Sequence, residues 1–203
     1  MTSKNKLKIT NPDKLWFTSD PHFNHANIIK YCNRPFTNVN EMNELLISNW
    51  NSVVKEDDII VCGGDFSWGS PKDCQNILEQ LNGQKVLVIG NHEKSVMESA
   101  KNRDLFTLGL FDILNITVMD EEVSDEFQDI VVCHYPMITW DKSHRGSWQL
   151  FGHVHGMLDD NSALSPNQFD IGVDSHNFMP ISYQEVKEII TRRNLERIKN
   201  GKR

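Results

Sequence analysis

The chain has few cysteines, no long apolar run and no excess of basic residues, and each absence excludes a class of protein. Its four cysteines, in 203 residues, nowhere have the C-x-x-C spacing of zinc and redox motifs. The sequence therefore predicts no disulfide framework, and we expect reduced thiols that pack as small apolar side chains. They are Cys32, Cys62, Cys74 and Cys133.

No run of about 18 apolar residues occurs, so no membrane span is expected. Residues 1–6 are polar and lead into no apolar segment of signal-peptide length, which predicts a cytoplasmic protein. The formal net charge of −7 argues against binding to long nucleic acids, which usually need a basic face. A small phosphorylated ligand is compatible with this charge, provided that cations supply a local positive potential.

Short apolar runs alternate with helical patterns, which predicts an α/β layered fold in one domain spanning residues 1–203, with the motif-bearing part at about 15–181. The predicted strands are 14–19, 59–62, 86–89, 130–133, 148–151 and 169–173. Four of them are almost continuously apolar, as in strands covered on both faces. Apolar residues at helical spacing predict helices over 40–54 and 183–198, and a third that Ser70-Pro71 begins and Gly83 ends.

Polar motifs follow these strands at the points where the strands end. They are Asp20-Pro21-His22, Gly64-Asp65, Gly90-Asn91-His92, His134 and Gly152-His153-Val154-His155. Five of the eight histidines lie in this set, whereas histidines used for packing would be scattered. Because ligands of open α/β sheets gather beyond the carboxyl ends of strands, these side chains are expected to meet in one crevice. The glycines fit tight turns in which backbone approaches the site closely.

The residue types in these motifs indicate a metal site. Carboxylate, amide oxygen and neutral imidazole together are ligands that suit Mn, Fe or Zn. Ca and Mg prefer a shell made only of oxygen ligands. No cysteine belongs to the set, which argues against a structural zinc site. One carboxylate can bridge two cations roughly 3.5–4 Å apart, and such a pair activates water and holds phosphoryl oxygens. Two divalent cations would leave the site positive after two aspartates and a hydroxide are counted, so it would attract a phosphate.

With these five motifs in this order, the chain resembles the calcineurin-like metallophosphoesterases, in particular their small bacterial, archaeal and phage members, from about Leu15 to Ile181. The resemblance implies a two-sheet β-sandwich flanked by helices, with a binuclear centre at the strand ends. It implies a first cation held by Asp20, His22 and His155, a bridging Asp65, and a second cation held by Asn91, His134 and His153. Mn²⁺ is the expected metal, with Fe, Zn, Ni and Mg as alternatives.

The resemblance also implies a mechanism. Water activated as hydroxide between the cations would attack the phosphorus in line, without a covalent enzyme intermediate. His92 would be the catalytic residue that protonates the leaving oxygen or stabilises the transition state, a role that suits an imidazole. The sequence departs from the family pattern at Trp68, where many members carry a second aspartate. This difference weakens the analogy with protein serine/threonine phosphatases.

Four residues near the motifs are candidates for substrate binding, and each has a second interpretation. They are His25, Arg34, Trp68 and Arg145. Trp68 could stack on a base or sugar, or could pack. Arg34 could grip a phosphate or form a surface ion pair. His25 could instead support the site or cap a turn, and Arg145 lies in 142–146, either a substrate loop or an ordinary polar loop. Asp174 and His176 follow a late strand and receive no role.

We expect the protein to hydrolyse a phosphodiester, with a small nucleotide or a similar phosphorylated molecule as its substrate. The first alternative is a phosphomonoesterase that acts on a nucleotide, a sugar phosphate or a phosphoprotein. The second is a non-catalytic scaffold of the same fold, although a scaffold could dispense with His92, which this chain retains. Neither a membrane nor a long nucleic acid is an expected partner, and a homo-oligomer is compatible with the sequence.

Overall fold

A computed structural model describes residues 6–122, 126–158 and 163–201 and arranges their strands in two five-stranded sheets. The strands are β1 (Lys6–Ile9), β2 (Leu15–Thr18), β3 (Ile59–Cys62), β4 (Gln84–Val88), β5 (Leu110–Phe111), β6 (Ile113–Met119), β7 (Phe127–Cys133), β8 (Trp148–Phe151), β9 (Gln168–Asp170) and β10 (Ile181–Ser182). The helices are α1 (Ile28–Tyr31), α2 (Val39–Val53), α3 (Pro71–Leu78), α4 (Lys94–Met97), α5 (Ala100–Leu105) and α6 (Tyr183–Lys199).

One sheet, in the order β10-β2-β3-β4-β5, is parallel except for its edge strand β10. Successive residues of its strands alternate between two hydrophobic cores. Phe17 and Val61 face the other sheet, whereas Ile60 and Leu87 face helices α1 to α5. Burial on both faces explains why these strands are apolar at nearly every position.

The other sheet, in the order β1-β6-β7-β8-β9, mixes parallel and antiparallel pairs. In β6, Leu114, Ile116 and Val118 are buried while the residues between them are more exposed, so one face points into the core between the sheets. Helix α6 adds Val186 and Ile190 to that core. The predicted sandwich of two sheets flanked by helices is confirmed.

The three predicted helices are all present, but one of them ends earlier than predicted. Helix α2 begins at Val39 after an Asn38 cap, and α3 begins at Pro71, where Ser70 and Asp73 form a reciprocal capping box. However, α3 ends at Leu78 and not at Gly83. Gly83 instead forms the turn into β4, with a positive φ of 89°.

Four strands were not predicted: β1, β5, β6 and β10. Two of them are only two residues long and therefore too short to leave a pattern. The cysteines are free thiols as predicted, but Cys32 and Cys133 are partly exposed. Within the described ranges, no helix is both long and apolar enough to cross a bilayer.

Candidate metal centre

The carboxyl ends of the parallel strands in both sheets meet at one edge of the sandwich. Strands β2, β3 and β4 end there in one sheet, and β7, β8 and β9 end there in the other. An isolated parallel bridge between Ser19 and Gly172 joins the two sheets just beyond β2 and β9. The polar motifs from both sheets therefore converge on one crevice, as the sequence predicts.

Backbone conformation at this edge is unusual for side-chain-bearing residues. Five of the predicted ligands have positive φ angles: Asp20, His22, Asp65, His153 and His155, with values from 48° to 70°. L-residues avoid this region, and such strain persists mainly at functional sites where the surrounding structure enforces it. The chain thus leaves strands β2, β3 and β8 through left-handed backbone conformations that direct the next polar side chains into the crevice.

Glycines allow the turns to lie against one another. A Cβ added at Gly90 would overlap the backbone nitrogen and carboxylate of Asp65. One added at Gly152 would overlap the Asp20 carboxylate, and one at Gly64 would lie 2.6 Å from Nδ1 of His134. The expected close approach of backbone at these three glycines is confirmed, and the reason is steric contact with neighbouring polar side chains of the crevice.

One set of candidate ligands consists of Asp20, His22 and His155, whose potential ligand atoms all lie within 4.8 Å of one another. Oδ1 of Asp20 is 3.9 Å from Nε2 of His22 and 4.0 Å from Nε2 of His155. The other carboxylate oxygen of Asp20 accepts a hydrogen bond from the backbone nitrogen of His153. The free oxygen and the two imidazole nitrogens thus face a common point.

A second set consists of Asp65, His134 and His153, with ligand atoms again within 4.8 Å of one another. Nε2 of His134 is 3.1 Å from Oδ1 of Asn91, which brings the amide oxygen to the same place. Nδ1 of His134 lies 2.9 Å from the carbonyl oxygen of Gly63, an acceptor that would leave Nε2 unprotonated and open to a cation.

Asp65 faces both sets. Its Oδ2 is 3.4 Å from Nε2 of His22, and its Oδ1 is 3.6 Å from Nε2 of His134. A carboxylate between two groups of nitrogen and oxygen donors has the arrangement that a bridging ligand requires. All seven predicted metal ligands are therefore brought together, and Asp65 lies between the two sets.

Buried atoms without partners test whether cations fit this site. Within the described part of the chain, Oδ1 of Asp20 and Nε2 of His22 are buried and make no hydrogen bond. Such atoms are rare in proteins because desolvation is costly. Both point toward other donors of the first set, so a cation there would satisfy them. The donor set, with imidazole and carboxylate but no thiolate, also suits a catalytic divalent metal.

The pKa shifts of four candidate ligands, Asp20, His22, His134 and His153, agree with this fit. Burial raises the pKa of Asp20 to about 7, so this carboxyl needs adjacent positive charge to stay ionised. Burial and the neighbouring His155 lower the pKa of His22 to about 2, and burial also lowers the pKa values of His134 and His153. These imidazoles are neutral at physiological pH, which is the form that binds metal.

Asp174 belongs to the centre, although the sequence pattern predicts no role for it. Its carboxylate lies 2.7 Å from Nδ1 of His155, on the side of the ring away from Asp20. Burial lowers the pKa of His155, but the bonds to Asp174 and Cys32 outweigh it and raise that pKa to about 10. A carboxylate that accepts the Nδ1 proton fixes the ring so that Nε2 faces the crevice. The one sequence feature that could have identified Asp174 was its position shortly after strand β9.

The prediction that Arg34 grips a phosphate is wrong. Its guanidinium is fully buried and makes two 2.8 Å bonds to the carboxylate of Asp174. The remaining donors reach the carbonyl oxygens of Asp20 and Pro21 and the sulfur of Met42. Arg34 therefore neutralises Asp174 and holds the turn after β2, and it presents no free donor to a substrate. Arg34 does form an ion pair, as the alternative prediction stated, but this pair is buried and not on the surface.

A cavity of about 690 Å³ opens over the two ligand sets. His92 lines it, and the backbone nitrogen of His92 donates a 2.8 Å hydrogen bond to Oδ1 of Asp65. His25 and Trp68 also line the cavity, as a substrate role would require. Arg145 does not: it is exposed on a 3-10 turn, Ser143–Arg145, away from the lining. The expectation that Arg145 contacts substrate is therefore corrected.

Glu93 is a second residue that the sequence did not identify. It is buried directly behind the centre, and its Oε1 accepts a 3.1 Å bond from the backbone nitrogen of Phe66. Burial raises the pKa of Glu93 to about 8. The side chain ties the turn after β3 to the turn after β4, and so fixes Asp65 relative to Asn91.

The chain is similar to known proteins in sequence and in structure. The family model described as calcineurin-like phosphoesterase matches residues 13–157. An uncharacterized protein of Methanocaldococcus jannaschii is 35% identical over 182 residues, 87% of this chain and 91% of that protein. The gene 66 protein of Mycobacterium phage L5 is 25% identical over 86% of this chain and 93% of its own. The crystal structure of a protein of unknown function from Aquifex aeolicus matches with a TM-score of 0.63 and 25% identity, over 86% of this chain and 98% of that one.

Proposed function

The chain belongs to the calcineurin-like phosphoesterase family, whose chemistry is metal-dependent hydrolysis of phosphoesters, and we propose that it is a phosphodiesterase with a binuclear centre and His92 as its general acid. The observation that carries the proposal is the position of Asp65 between two sets of donors, 3.4 Å from His22 and 3.6 Å from His134. Two divalent cations, with Mn²⁺ as the first choice, would supply an activated water and positive charge for the phosphoryl oxygens.

The protein's own residues would prepare the site for this reaction. Asp20, His22 and His155 would hold one cation, and Asn91, His134 and His153 the other, with Asp65 shared. Asp174 keeps the His155 ring oriented through the 2.7 Å contact at Nδ1. The turns fix these donors before substrate binds, so little reorganisation is needed during the reaction.

Two contacts of His92 support its proposed role as the proton donor to the leaving oxygen. Its ring lines the cavity, with its centroid 5.7 Å from that of His22. Its backbone nitrogen is anchored to Asp65, which fixes its distance from the centre. An imidazole can donate a proton near neutral pH, and general acid catalysis of this kind typically contributes about 10²–10⁴ in rate.

Charge favours a diester over a monoester. Among the described residues that line the cavity, there is no lysine or arginine. A phosphomonoester carries a second negative charge, for which a basic side chain is the usual partner. A diester carries one charge, which the centre itself can neutralise.

The experiment is to compare wild type, His92→Ala and the matched control His144→Ala, all loaded with Mn²⁺, on two diesters. His144 is exposed and lies outside the cavity lining. We expect His92→Ala to bind the metal normally and to lose about 100-fold or more on a dinucleoside monophosphate, whose alkoxide leaving group needs a proton. The loss on bis-p-nitrophenyl phosphate should be smaller, since nitrophenolate leaves without one.

Equal losses on both diesters, or none, would remove His92 from the acid role. Higher activity of wild type on p-nitrophenyl phosphate than on its bis ester would indicate the monoesterase alternative. Metal-loaded protein without turnover on any of these esters, or on a panel of nucleotides and cyclic dinucleotides, would favour the scaffold.

A further inference from the structure

One wall of the cavity is aromatic and exposed. Trp68 is 46% exposed and Tyr31 is 73% exposed, and both line the cavity beside the metal centre. Met157, 79% exposed, lies at the same opening. Large apolar side chains that stay accessible next to a reactive centre indicate a surface for a ligand, because scattered exposed residues would not share one cavity.

The rings form a continuous series that leads to the centre. His25 stacks on Trp68 with centroids 4.6 Å apart and an interplanar angle of 13°. His92 meets the indole edge-on at 5.1 Å, and the His22 ring is 5.3 Å from that of His25. The stack on His25 holds the indole in place while nearly half of Trp68 remains accessible. A flat group stacked on Trp68 would therefore lie close to His92, with only the indole between the two.

The polar groups of this wall are neutral. Asn27 and Asn33 line the cavity near Tyr31, and amides of this kind can both donate and accept hydrogen bonds. Basic side chains are absent from the lining among the described residues. The wall thus suits a planar, uncharged group with hydrogen-bonding edges and does not suit a second phosphate or an acidic peptide.

From this geometry we propose that the wall of Tyr31, Trp68 and Met157 binds a nucleobase, so that the substrate is a nucleotide ester whose base stacks on Trp68 while its phosphate lies at the metal centre. The inference rests on the proposed function, because it takes the phosphate position from that centre. Stacking of a base on an aromatic side chain tolerates different bases, so we expect preference for nucleotides over other phosphates with modest selection among bases.

Binding measured without turnover tests the proposal. Adenosine 5′-monophosphate and ribose 5-phosphate share the phosphate and the sugar and differ by the base. Each is titrated into the Mn²⁺-loaded protein by calorimetry, and into the Zn²⁺-loaded protein, which is diamagnetic, while the indole NH resonances are recorded by NMR. We expect the base to strengthen binding about tenfold or more, and the Trp68 resonance to shift with adenosine 5′-monophosphate alone.

The variants Trp68→Leu and Trp68→Phe separate stacking from packing. Trp68→Leu should lose most of the preference for the nucleotide, whereas Trp68→Phe, which keeps a ring, should retain much of it. Phe127→Leu is the matched control, since Phe127 is 42% exposed on the other sheet and outside this cavity. Its preference should equal that of wild type.

The two proposals fail in different ways. If wild type hydrolyses diesters but binds both ligands equally, or if Trp68→Leu keeps the preference, the nucleobase wall is refuted and the phosphodiesterase stands. If the preference is present and depends on Trp68 while no ester is hydrolysed, the wall is supported and the protein is a nucleotide-binding member of the fold.

Discussion

Asp174 illustrates how one side chain without a motif can orient a candidate metal ligand. It contacts His155 at Nδ1 and forms a buried, two-bonded pair with Arg34, 140 positions away in the sequence. Sequence could place Asp174 after a strand but could not show either partner, because both contacts depend on the tertiary fold. In contrast, the seven predicted ligands could be identified because they follow predicted strands, and all but His134 belong to a short motif.

The first prediction concerns Asp174→Asn. Loss of the carboxylate should release the His155 ring and weaken binding of one Mn²⁺ by about 10- to 100-fold. It also leaves the Arg34 charge buried and unpaired, so unfolding should become easier by about 3 kcal/mol. Calorimetric Mn²⁺ titration and urea unfolding would measure these two effects.

Asp104→Asn is the matched control, because Asp104 is exposed on α5. It should leave both quantities unchanged. If Asp174→Asn bound Mn²⁺ as wild type does, the orienting role would be refuted, whatever happened to stability.

At the scale of elements, the turns at the strand ends determine the geometry of the site more than the strands themselves do. The turns after β2, β3 and β8 have little room, and Gly152 is enclosed by the side chains of Ser19 and Asp20. The sequence predicted the turns after β3 and β8 well because glycine next to a polar residue marks them. It missed β6, although residues 114–118 alternate between apolar and polar types, and β10, a two-residue strand that pairs with β2.

The second prediction compares two alanine substitutions. Gly152→Ala should destabilise the protein by about 3 kcal/mol, because the added methyl group displaces the Asp20 carboxylate from a packed turn. Gly146→Ala should cost about 1 kcal/mol, since Gly146 has a positive φ of 85° but open space around it. Thermal unfolding of both variants with a chelator present gives the comparison.

The Mn²⁺ affinity of the two variants provides the second half of this test. Gly152→Ala should weaken the first ligand set, whereas Gly146→Ala should not. Equal effects of both substitutions would refute contact between the added methyl group and the Asp20 carboxylate as the cause.

At the scale of the whole molecule, α6 is attached to the mixed sheet by a buried polar cluster. Asp120, just after β6, accepts hydrogen bonds from Tyr183 at 2.7 Å and from Lys187 at 2.8 Å. Burial would raise the pKa of Asp120, but the bonds from Lys187 and Tyr183 outweigh it and lower that pKa. Burial lowers the pKa of Lys187, but its bonds to Asp120 and Glu122 outweigh this and raise it.

The third prediction is the pH dependence of stability that follows from these shifts. The Asp120 contribution is present above the unfolded carboxyl value of 3.8 and is lost as pH falls through the lowered folded pKa. The Lys187 contribution is present below the unfolded value of 10.5 and is lost as pH rises through the raised folded pKa. With a chelator present, Lys187→Met should therefore lower the free energy of unfolding by about 2 kcal/mol at pH values between the two folded pKa values. The loss should be smaller at lower and at higher pH.

Urea unfolding of wild type and Lys187→Met across this pH range would check the expected plateau. Lys94→Met is the matched control, because the Lys94 side chain is mostly exposed in a surface pair with Glu98. If the free energy of unfolding differed between wild type and Lys187→Met by the same amount at every pH, the ion-pair explanation would be refuted.

The most direct test of the central claim is electron paramagnetic resonance of the Mn²⁺-loaded protein, because a shared carboxylate couples the spins of two adjacent ions. The position of Asp65 between the two donor sets predicts a spin-coupled pair in wild type, which Asp65→Asn should replace with the spectrum of isolated Mn²⁺. A wild-type spectrum of isolated ions only, at full metal loading, would contradict the proposed binuclear centre.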